Sequence, residues 1–152
     1  MTLIKIGKIV NTHGIKGELR LLSKFPYKDK VFINNMTIYI DKKDKEIINT
    51  YRKHKNFDMI TLKDYNNINE VLKYKGKNAY VNDSDIKLDN NKYLDEELIG
   101  LNVIYEDNNK GTIVDIERYD KTVLFNIKNN DKEYLIPYND NIIDKIDINN
   151  II

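Results

Sequence analysis

Apolar and polar residues alternate with a period of two along most of this chain, in short runs rich in β-branched and aromatic side chains. Strands that bury one face read this way. In the first half the runs are "TLIKIGKIV" (2–10), "GELRLLS" (17–23), "MTIYI" (36–40), "EIINTYRKH" (46–54), "DMITL" (58–62) and "KNAYVN" (77–82). Six strands are predicted there. One helix interrupts them: Asn67 can cap a first turn with Glu70 three residues on, Ile68, Val71 and Leu72 share a face, and Gly76 supplies a stop. That apolar face is expected to plug one end of a barrel.

A polar stretch rich in Asn and Asp, "NDSDIKLDNN" (82–91), then breaks the pattern. Beyond it runs recur at 101–105, 111–119, 122–127, 133–138 and 143–152, joined by "EDNNK", "DK" and "NNDK", which suit tight hairpins. Ile113 and Ile116 depart from strict alternation, which predicts a bulge, and Pro137 predicts an edge or a bend because proline cannot donate to a ladder. The expected fold is all-β: a barrel over residues 1–86, a linker over 87–92 and a second small barrel over 93–152. No repeat at solenoid spacing is visible.

Composition narrows the classes of function. The 152 residues include no cysteine, so disulfides, thiolate metal sites and thiol nucleophiles are absent. No apolar run has the length that export or membrane insertion needs, and the expectation is a soluble, cytoplasmic protein acting as a monomer. Of 25 basic residues 22 are lysine, in a chain also rich in Asn and Ile, so lysine abundance by itself says little. Its distribution says more. Residues 1–86 hold 17 Lys and Arg against 10 Asp and Glu, net +7, whereas residues 87–152 hold 8 against 14, net −6. A basic half suits a polyanion such as RNA and an acidic half suits a basic protein. Mutual attraction of the two halves is the alternative.

The inventory offers little chemistry. Ser23 and Ser84 lack a nucleophile-elbow context, and His13 and His54 are too few and too distant in sequence to suggest a zinc site. "DEE" (95–97) reads as a solvated acidic surface. No phosphate-cradling glycine pattern is present, and neither a metal nor a cofactor is expected. The most distinctive local feature is "VNTHGIKGELRL" (10–21). Gly14 and Gly17 there are expected to take positive φ in a loop between two strands, presenting Lys16 and Arg20, with His13 packing or donating a hydrogen bond.

Several stretches, in order, resemble one family. "GKIVNTHGIKGELRL" (7–21) resembles the N-terminal signature of the RimM family of ribosome maturation factors. "INEVLKYKGKNAYV" (68–81) is similar to that family's short helix before the last strand of its first barrel. "YLDEELIGLNVIYEDNNKGTIVDI" (93–116) and "LIPY" (135–138) resemble the opening and a later strand of its PRC-type barrel. The resemblance implies a six-stranded translation-factor-type barrel followed by a PRC-type barrel. It further implies a non-enzymatic role in 16S rRNA processing and late assembly of the small ribosomal subunit, near ribosomal protein S-nineteen at the subunit head. His13, Gly14, Lys16, Gly17 and Arg20 are then candidates for contact with RNA or the ribosome. Where relatives carry two adjacent tyrosines implicated in contact with that ribosomal protein, this chain has Tyr93 and Leu94, so Tyr93 is the expected aromatic anchor and Leu94 adds apolar area. The chain also reaches "INNII" without the acidic Gly-Leu-Leu ending of many relatives. A general single-stranded nucleic-acid binder is the competing reading, since "YRKHKNF" (51–57) interleaves basic and aromatic side chains.

Overall fold

In the computed structural model the described residues are 1–89, 92–119, 122–138, 146–147 and 150–151, and they divide into two compact units, Met1–Leu88 and Asp89–Ile152. In the first, six antiparallel strands close into a barrel: β1 (Leu3–His13), β2 (Glu18–Leu22), β3 (Thr37–Ile40), β4 (Asp44–His54), β5 (Phe57–Leu62) and β6 (Asn78–Asn82). Their order around the ring is β1-β2-β5-β4-β3-β6. Alternation does what period two demands: Leu19 and Leu21 are fully buried on β2, as are Ile38 and Ile40 on β3. Each such side chain removed from water contributes roughly 1.5–3 kcal/mol. Register shifts at Lys5/Gly7 and Ile9/Asn11 on β1, and at Ile48/Thr50 on β4, add the coiling that lets six strands close.

Helical turns seal the barrel ends, and here the sequence reading needs correction. A one-turn helix α1 (Lys28–Val31), not expected from the pattern, brings Val31 and the following Phe32 into the core at 0% and 2% exposure. The expected helix is α2 (Ile68–Val71), capped by the Asn67 side chain, which accepts from the Asn69 N–H at 2.8 Å. Glu70 accepts from the Asn66 N–H instead of closing back on the cap residue. After Val71 the chain tightens into a 3-10 turn, Leu72–Tyr74. That change of period rotates Leu72 outward, to 47% exposure, and makes Val71 and Tyr74 the plug. The Tyr74 hydroxyl donates to Glu46, which also accepts from Tyr65 at 2.7 Å.

The second unit starts with the short helix α3 (Asp95–Leu98), also absent from the sequence reading. It continues as β7 (Asn102–Tyr105), β8 (Asn108–Arg118), β9 (Val123–Asn129), β10 (Lys132–Pro137), β11 (Ile146–Asp147) and β12 (Asn150–Ile151). The sheet order is β10-β9-β8-β7-β12-β11, with β12 parallel to β7. The expected bulge is present between Ile113 and Asp115, and Pro137 ends the edge strand β10. Both residues of the β7–β8 connection, Glu106 and Asp107, have positive φ, which matches the right-handed twist of a two-residue hairpin. The expected "DK" turn (120–121) and most of the last expected strand (143–152) lie outside the described residues. Leu98, Val103, Ile113, Phe125 and Ile127 form a separate small core. Among the described residues no helix is long and apolar enough to cross a membrane.

Candidate functional site

The loop between β1 and β2 has the geometry its glycines foretold. Gly14 and Gly17 lie at φ +77° and +88°, and the Gly17 N–H reaches the Gly14 carbonyl at 3.4 Å. The loop is also tied to α2, because the Ile68 N–H donates to the Ile15 carbonyl at 2.8 Å. A Cβ on Gly17 would stand 3.0 Å from the Asn67 carbonyl oxygen, so the close approach of α2 requires glycine there. The Ile15 side chain is left at 82% exposure beside an exposed Lys16.

From that loop the functional candidates extend sideways over the outer face of the barrel. Because β5 lies between β2 and β4, the register sets Arg20 opposite Met59 and Met59 opposite Arg52, a row crossing three strands. Met59 is fully buried although its register places it beside outward-pointing neighbours. Arginine stems can cover such apolar surface while their charged heads stay in water. The Arg20 guanidinium lies over the Phe57 ring at 4.9 Å, and its Nη2 donates to His13 Nδ1 at 2.9 Å, leaving a buried Nε with no hydrogen-bond partner. His13 is therefore an acceptor at Nδ1, where donation was one expectation. The strand order also brings together two histidines that sequence distance seemed to separate: the rings of His13 and His54 are 6.1 Å apart. Among the described residues no group of three or more His, Cys, Asp or Glu is placed to hold a metal ion.

The electrostatics of this face are cationic with one internal counterion. Glu18 takes Arg52 in a two-pronged pair, Nε at 2.8 Å and Nη2 at 2.7 Å. Its carboxyl is held below the usual value, chiefly by that hydrogen bond. His54 is also held below its ordinary value, first by desolvation and then by the positive charges of Arg52 and Lys55 and by His13 and Arg20. On the opposite side of the same hairpin Asp58 is fully buried. It accepts from the Tyr51 hydroxyl at 2.6 Å, with Lys53 3.6 Å from the same oxygen. Its other oxygen faces Lys28 of α1 at 2.9 Å, an ion-pair distance outside hydrogen-bond geometry. Sequence reasoning noticed "YRKHKNF" but did not join Arg52, His54 and Phe57 to the glycine loop. The signal available was alternation, which puts Arg52 and His54 on one face of β4 and Tyr51 and Lys53 on the other.

In the second unit the candidate pair is divided by burial. Leu94 is buried at 7% exposure, and its N–H donates to Glu97 Oε1 at 3.0 Å. Tyr93 is half-buried against the second core. The "DEE" segment is not merely solvated: Asp95 pairs with Arg118, whose Nε lies 3.1 Å from Oδ2, and Glu97 caps α3.

Two family models match the chain, "RimM N-terminal domain" over residues 4–86 and "RimM PRC barrel domain" over residues 95–152. The chain is 36% identical to the ribosome maturation factor RimM of Bacillus mycoides, with 95% of this chain and 90% of that protein covered. To the protein of the same name from Shouchella clausii it is 33% identical, with 95% and 88% covered. The solution structure of the N-terminal domain of RimM from Thermus thermophilus superposes with a TM-score of 0.51 at 17% identity, covering 58% of this chain and 98% of that domain. That likeness concerns the fold.

Proposed function

As the chain belongs to the RimM family of ribosome maturation factors, a family without enzymatic activity, we propose that it acts in the cytoplasm on immature small ribosomal subunits and promotes 16S rRNA processing. Two contacts carry the action. The first unit meets RNA through the loop that presents His13, Lys16 and Arg20, shaped by Gly14 and Gly17. The second unit, past a linker at 87–92, meets the basic ribosomal protein S-nineteen through Tyr93, with Leu94 anchoring that segment from beneath.

The observation that supports this reading best is the gathering of Arg20, Arg52, His13 and His54 on one outer face of a unit whose sequence is net positive. Phosphate contacts position such a protein on its RNA without reading sequence. A free-standing single-stranded RNA binder would share the first contact, but the acidic second unit repels nucleic acid and suits a basic partner. Sedimentation of the tagged protein through a sucrose gradient tests the proposal. Association with free small subunits and not with joined ribosomes is expected, and absence from every ribosomal particle would remove it. Tyr93→Ala should weaken binding to purified S-nineteen by roughly 1–3 kcal/mol, the range of an ordinary interface anchor. A variant that melts earlier yet binds with unaltered affinity would make Tyr93 a packing residue only.

A further inference from the structure

We propose that the outer face of β1-β2-β5-β4, where His13 and His54 face each other between Arg20 and Arg52, is a phosphodiester site for single-stranded RNA that takes up protons when it is filled. The inference rests on the proposed RNA-binding role and adds Arg52, His54, Lys55 and Phe57 to the residues that perform it.

Arginine is scarce in this chain, three residues against 22 lysines, and two of the three meet on this face. A guanidinium offers a planar fork of donors that a lysine does not, and that fork matches phosphate. Arg20 is oriented before any ligand arrives, by Phe57 beneath it and His13 beside it. Arg52 is oriented by Glu18. At ordinary strand spacing the four strands carry this face across roughly 15 Å. A nucleic-acid strand, with a charge about every 3.4 Å along its axis, presents several phosphates over such a length.

Proton uptake follows from what surrounds the imidazoles. His54 faces Arg52 on its own strand, Lys55 in the adjoining turn, His13 from β1 and Arg20 from β2, while Glu18, the nearby carboxylate, is already committed to Arg52. His13 accepts from Arg20 through Nδ1, so in this arrangement its ring proton sits at Nε2. A positive charge on the His54 ring is disfavoured in this field while the site is empty. Bringing a phosphate in reverses the field and favours the imidazolium form of His54. Affinity must then rise as pH falls, since each proton taken up strengthens binding by up to about tenfold per pH unit.

The test uses the full chain and a labelled single-stranded RNA, with fluorescence anisotropy at constant ionic strength between about pH 8 and about pH 6. A gain in affinity of roughly tenfold over that range is expected. The double variant His13→Gln/His54→Gln should lose the gain, its affinity staying flat from the alkaline to the acid end of the range, with an unchanged melting temperature. Arg52→Lys should weaken binding at every pH and leave the slope in place. A pH slope that survives in the double variant overturns the proposal, as does competition by polyglutamate equal to that by unlabelled RNA, which would make the face a site for acidic protein segments. Particle association that persists after the proton-linked site has failed would leave the assembly reading standing. Proton-linked RNA binding by a chain that joins no particle would do the reverse.

Discussion

Gly17 sits at φ +88° with α2 pressed against it, whereas Gly14, at φ +77°, has open space where a side chain would go. The two positions therefore separate backbone strain from steric collision. Gly14→Ala meets only the cost of a left-handed conformation, about 1–2 kcal/mol. Gly17→Ala meets that cost and must also push the Asn67 carbonyl away, so its loss of stability should exceed that of Gly14→Ala. Urea denaturation of the two variants checks the order, and equal losses would mean that α2 yields freely. Tyr51 makes a second case. Desolvation first, and then its hydrogen bond to Asp58, push its hydroxyl up to about 12 from the ordinary tyrosine value of 10.0. A group with a raised folded value contributes stability that is complete below its unfolded value and disappears as pH climbs through the folded one. Alkaline loss of stability between about pH 10 and about pH 12 should thus be shallower in Tyr51→Phe than in the parent, measured by thermal melting across that range.

Asp58 links three elements, because its carboxylate meets Tyr51 and Lys53 of β4 and Lys28 of α1 from its own place on β5. Which charge is left behind decides the outcome of a substitution. Asp58→Asn leaves two lysines that are 30% and 50% exposed and can turn to water, at a cost of about 1–2 kcal/mol. Lys28→Met with Lys53→Met leaves the carboxylate buried with only a tyrosine hydroxyl, at about 3–5 kcal/mol. Chemical denaturation should rank the double variant as the less stable, and the reverse ranking would show that water reaches Asp58. The same hairpin marks how far the sequence could be read. The strands of the first barrel were legible because one buried face imposes alternation, and Leu19, Leu21, Ile38 and Ile40 obey it. The α1 turn was not, since four residues carry no helical period and Val31 is held by packing. Nor was the Arg20–Met59–Arg52 row, which depends on β5 lying between β2 and β4, a matter of ring order and not of local pattern. The glycine loop was legible down to the sign of φ, but the half of the candidate face that β4 contributes became visible only once the ring was closed.

Over the whole molecule the division of charge matches the division into units, with residues 1–86 net +7 and residues 87–152 net −6. A near-neutral total of +1 conceals two surfaces that should prefer opposite partners. RNA binding by counterion release depends on how many phosphates are neutralised, so the logarithm of affinity falls with the logarithm of salt in proportion to that number. If Arg20, Arg52, Lys16 and Lys55 supply those contacts, the first unit alone, Met1–Leu88, should bind RNA at least as tightly as the full chain and with the same salt slope. It should bind more tightly where the acidic unit repels the strand, and this advantage should shrink as salt screens beyond a Debye length of about 10 Å at 0.1 M. The second unit alone, Asp89–Ile152, should show no RNA binding and should retain whatever affinity the full chain has for a basic ribosomal protein. Anisotropy titrations of both fragments over a series of salt concentrations decide the matter, because equal RNA binding by the two units, or a salt slope in the first that Arg20→Ala and Arg52→Ala leave unchanged, would place the RNA contact elsewhere on the chain.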